Sequence, residues 1–67
     1  MEEYVQRMVT EKEELGKKLG GLGVFTSSSN KAFLGLPMEE QSDMLDQLQA
    51  MEAYHSILSR RIERATK

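Results

Sequence analysis

The chain has no cysteine and no tryptophan, one histidine and one proline, and each shortage closes a route to stability or activity. Without Cys there is no disulfide to staple a small fold, and a structural zinc would have no thiolate ligand and only His55 as an imidazole. Aromatic residues make up 6% of the chain, which argues against a β-rich domain. No apolar run approaches the ~18–20 residues that span a bilayer. The opening Met-Glu-Glu-Tyr is acidic and lacks the basic and apolar regions of a signal peptide, so a cytosolic protein with no membrane partner is expected. The net charge of −2 lacks the basic excess with which proteins grip long nucleic acid. Chemistry is equally scarce. Ser27, Ser28 and Ser29 have no base held in place by a third group. The Gly20-Gly21-Leu22-Gly23 stretch follows no strand and makes a poor phosphate loop. Glu39, Glu40, Asp43 and Asp46 read as a solvated helix face. No enzyme, cofactor or metal site is expected.

What the chain does have is charge, at 30% of residues, and five Met suited to adaptable packing surfaces. At 67 residues a single copy is marginal without help, and with staples excluded the remaining help is association. Val5, Met8, Leu15, Leu19 and Leu22 trace one stripe of an amphipathic helix. Glu2 and Glu3 suit its positive end, and Glu13 and Glu14 stand four residues before Lys17 and Lys18. Gly16, Gly20, Gly21 and Gly23 weaken the helix past Leu19, where packing of Leu22 and Phe25 is needed to carry it on. Helix 1 is therefore expected over about 2–26. A connection follows over 27–36, in which Asn30 is placed to cap a brief turn through Ala32 and Phe33. Pro37 suits the first position of helix 2, which is expected over about 37–65. Its seam of Met44, Leu48, Met51, His55, Leu58, Ile62 and Ala65 alternates by four and three, and a second stripe of Ala50, Tyr54, Ile57 and Arg61 adjoins it. Two adjoining stripes need more than one neighbour. The expected fold is all-α: a single antiparallel helical hairpin, with a second helix spanning about 40 Å, that assembles into a helical oligomer.

The informative residues are those that break a seam. Lys12 occupies an apolar register position in helix 1, and His55 does so in helix 2. Lys12 must extend its charge to water, pair with a carboxylate, set the register of association or meet an anionic ligand. His55 is expected as a hydrogen-bonded interior residue. In a hairpin the end of helix 2 lies beside the start of helix 1, which brings Arg60, Arg61, Arg64 and Lys67 towards Tyr4, Arg7 and Met8. The final eight residues carry four positive charges and one negative, so the open end is basic in an acidic protein. The helix dipole accounts for Arg64 and Lys67 at a helix end, but a cation at Arg7 opposes it. Tyr4, Arg7, Glu11 and Lys12 form a strip with an aromatic plate, two cations and a carboxylate, suited either to a solvated salt-bridged face or to a stacked base and a phosphate.

The segments Glu-Tyr-Val-Gln-Arg-Met-Val-Thr-Glu-Lys-Glu-Glu-Leu (3–15), Leu-Pro-Met-Glu-Glu-Gln (36–41) and Gln-Leu-Gln-Ala-Met-Glu-Ala-Tyr-His-Ser-Ile-Leu-Ser-Arg-Arg-Ile (47–62) resemble a known group. They are similar to very short phage proteins that share the helical hairpin of the anti-CBASS and anti-Thoeris cyclic-nucleotide sponges. The distinctive part is Tyr-x-x-Arg-x-x-x-Glu-Lys-x-Glu-Leu from Tyr4 to Leu15. The resemblance implies a homo-oligomer, typically a hexamer, working in the cytoplasm of a bacterial host. It implies capture of cyclic di- or trinucleotide second messengers between protomers, without cleavage. It also implies an aromatic role for Tyr4, phosphate-holding roles for Arg7 and Lys12, and a lesser one for Arg61, with Met8 and Glu11 beside them. The alternative is a structural or protein-binding helical module that grips a partner helix with its second stripe.

Overall fold

The computed structural model describes residues 2–67. It contains α1 (Glu3–Phe25), a short α2 (Lys31–Leu34) and α3 (Met38–Thr66), with no strand among the described residues. The two long helices run antiparallel and pack on one another, forming a rod with Cα extents of 45 × 15 × 15 Å. The seams meet as their spacing requires. Val5, Met8 and Leu15 of α1 and Leu58 of α3 form the buried core, with Leu19, Met51 and Ile62 packed against it. Leu58 is fully buried at 0% exposure.

The helix ends fall within a residue of the expected ones. α1 runs through Gly20, Gly21 and Gly23 and stops at Phe25, because Phe25 has something to pack on. Its ring meets that of Phe33 edge to face, with centroids 6.0 Å apart. Thr26 closes the helix: its buried hydroxyl donates to the Leu22 carbonyl at 2.9 Å. Asn30 caps α2, its Oδ1 accepting from the Phe33 N–H at 3.0 Å. Gln41 then ties the connection to α3, donating to the carbonyls of Leu36 at 2.8 Å and Leu34 at 3.2 Å. Pro37 stands one position earlier than the sequence suggests. It is the N-cap residue, extended at φ −56° and ψ 148°, and its carbonyl accepts the first helical bond from Gln41. Proline's fixed φ fits that position as well as the first helical one.

Much apolar surface stays uncovered. Among the described residues, Tyr4, Val24, Leu34, Met38, Leu45, Tyr54 and Ile57 are each at least 42% exposed. Tyr54 and Ile57 belong to the second stripe of α3. No described helix is long and apolar enough to cross a membrane.

Candidate functional site

The open end of the hairpin places residues from both long helices around one concavity. Tyr4 and Met8 lie one turn apart on α1, and Arg61, Arg64 and Ala65 lie at the matching level of α3; together they line a hollow of about 370 Å³. Of these lining residues Met8 is buried, whereas Tyr4 is 56% exposed. Among the described residues the single salt bridge is Arg7 to Glu3, so neither Arg61 nor Arg64 has a carboxylate partner. The hollow thus combines an apolar wall, an aromatic face and two guanidiniums free to bind an anion. That combination suits a ligand with a flat ring and an adjacent phosphate.

The remaining residues of the Tyr4–Lys12 strip face elsewhere. Arg7 donates from Nη2 to Oε1 of Glu3 at 2.7 Å, and the two side chains are 72% and 81% exposed. Arg7 and Glu11 line a different, outward concavity with Glu3, Gln6, Thr10 and Glu14. Lys12 is half-buried on the other flank of the hairpin, in a hollow it shares with Val9, Glu13, Gly16, His55 and Ile62. It joins no ion pair among the described residues. His55, also half-buried, faces the same hollow, and a Cβ added to Gly16 would stand 3.7 Å from its Nε2. Of the six residues singled out from the sequence, Tyr4, Met8 and Arg61 line the open-end hollow, Arg7 and Glu11 line a second, and Lys12 lines a third. Arg64 is the member of the hollow that sequence reasoning set aside as a dipole complement. The signal for it was present, because Arg64 continues the Ala50, Tyr54, Ile57, Arg61 stripe by three positions.

The described residues hold no group of three or more His, Asp or Glu arranged to hold a metal ion. No curated protein and no solved structure is significantly similar to the chain. The sequence profile of one family, Sequestin, does match, over residues 2–64. That span holds both long helices almost whole and every residue lining the Tyr4 hollow except Ala65, and on it the chain belongs to the Sequestin family.

Proposed function

We propose that this protein is a phage-encoded sponge that binds cyclic oligonucleotide second messengers in the host cytoplasm and withholds them without cleaving them. One observation carries the reading: exposed Tyr4 shares a hollow with two guanidiniums that pair with no carboxylate among the described residues. A base stacks on the aromatic ring while charge-assisted hydrogen bonds hold its phosphate. The family name, which denotes sequestering, agrees with capture.

The hollow is open on one side, and the stripe of Tyr54 and Ile57 leads into it at Arg61. In this reading further copies of the chain pack on that stripe, a hexamer being the expected assembly, and complete the pocket between protomers. Arg7 and Lys12, on other faces of their own chain, reach a ligand held by a neighbouring copy. Symmetry favours such a site, because a cyclic ligand with repeated phosphates meets the same side chain from several copies.

Isothermal titration against a panel of cyclic di- and trinucleotides tests the proposal. Saturable binding by at least one member, weakened by Tyr4→Ala and followed by recovery of the intact nucleotide, supports it. A folded protein silent across the panel defeats it. A second reading, a protein-binding helical module, draws on the same exposed stripe. It predicts capture of a helical partner that is unaffected by Tyr4→Ala combined with Lys12→Ala.

A further inference from the structure

We infer that Arg64 is a second phosphate-holding residue of the Tyr4 hollow, so that each copy of the chain selects a ligand presenting two neighbouring phosphates. The inference rests on the sequestration reading above and specifies which class of nucleotide the hollow takes. Ala50, Tyr54, Ile57, Arg61 and Arg64 follow one another by four, three, four and three, and so form one continuous stripe of α3. The stripe is apolar at its middle and cationic at the open end. Arg61 and Arg64 are neighbours on it, and both line the hollow with Tyr4. Arg64 also lines an adjoining hollow with Arg60, Glu63 and Lys67, so it stands between the aromatic plate and a further cationic surface.

The helix dipole favours a cation in the last turn of α3, but it gives no reason for two cations to crowd one hollow beside an aromatic residue of the other helix. Like charges three apart on a helix repel. Neither guanidinium has a carboxylate partner among the described residues. A copy of the chain packed on the stripe would remove water from both, and a buried guanidinium without a counter-charge is costly. One phosphate offsets one charge; two neighbouring phosphates offset both. The end of α3 presents carbonyl oxygens, so on that helix the long Arg side chains carry the contact. The shared ligand chemistry is a nucleoside bearing two phosphates, which flank it in a cyclic dinucleotide and are joined in series in a nucleoside diphosphate.

The test uses the full chain and its Arg64→Gln, Arg64→Lys and Arg61→Gln variants, each checked for helicity by circular dichroism. Titrations employ 3′,5′-cyclic AMP as the one-phosphate probe, cyclic di-AMP and cyclic di-GMP as phosphodiester probes, and ADP as the diphosphate probe. Arg64→Gln is expected to weaken the preferred two-phosphate probe about tenfold or more. It should also reduce the slope of log affinity against log salt by about one. Cyclic AMP should bind the wild type and Arg64→Gln alike, and Arg64→Lys should restore part of the loss. Whichever of the cyclic dinucleotides or ADP is preferred identifies the source of the two phosphates. If Arg61→Gln weakens a cyclic dinucleotide while Arg64→Gln changes neither affinity nor salt slope, the inference fails and the sequestration reading stands. If no nucleotide binds, that reading fails, and inorganic pyrophosphate decides the arginine pair. Joint movement of the Arg61 and Arg64 Nε–H resonances then upholds the pair, and no movement overturns it.

Discussion

Truncating Leu58 should cost this hairpin half of its stability or more, while truncating Leu45 on the same helix should cost little. Leu58 is 0% exposed and packs in the cluster of Val5, Met8 and Leu15, whereas Leu45 is 43% exposed. A Leu→Ala change in a closed core removes the transfer energy of the side chain and leaves a cavity, at about 2–5 kcal/mol. A domain of this length has about 3–10 kcal/mol in all. With only four apolar residues in the buried inter-helix cluster, the full burial of Leu58 puts Leu58→Ala in the upper part of its range. Leu45→Ala gives up only part of a side chain's burial and should cost about 1 kcal/mol. Urea unfolding followed by far-ultraviolet circular dichroism separates the two. At a slope near 1 kcal/mol/M, Leu58→Ala should lower the midpoint by about 2 M or more. A loss for Leu58→Ala no greater than that for Leu45→Ala would show that the seam does not hold the hairpin together.

Gly21→Ala should stabilise α1 by about 0.5–1 kcal/mol, since a Cβ there meets nothing within 4 Å and the backbone is helical; a rise in melting temperature checks it. Asn30→Ala removes the side-chain acceptor of the Phe33 N–H and should cost about 0.5–2 kcal/mol in denaturant unfolding. Tyr4→Ala should weaken a bound nucleotide by about 1–3 kcal/mol of stacking in calorimetric titration, while Tyr4→Phe, which keeps the ring, should lose far less.

The hairpin was legible because its seams are strict. The alternation by three and four from Val5 to Leu22 and from Met44 to Ala65 leaves one way for the helices to meet, and the Ser-Ser-Ser-Asn run marks where the chain turns. The cap at Asn30 was legible for a local reason, as its side chain needs only the N–H three residues on. The meeting of Tyr4 with Arg61 followed from antiparallel pairing alone. The strip from Tyr4 to Lys12 was another matter. Spacings of three, four and eight look like one face, yet helical steps of ~100° accumulate. Tyr4 and Lys12 end on opposite flanks of the Val5 and Met8 seam, and Arg7 turns outward to Glu3. The same antiparallel pairing brought Arg64 towards Tyr4, but the dipole gave it a sound local explanation, and the shared hollow is what returns it to the site.

The most direct measurement is native mass spectrometry of the purified chain at low micromolar concentration, before and after addition of a cyclic dinucleotide. Multiple copies carrying nucleotide of unaltered mass are expected, because the Tyr54 and Ile57 stripe seeks a neighbour and the Tyr4 hollow opens beside it. A lone subunit that stays helical and takes up no nucleotide would contradict both association and capture.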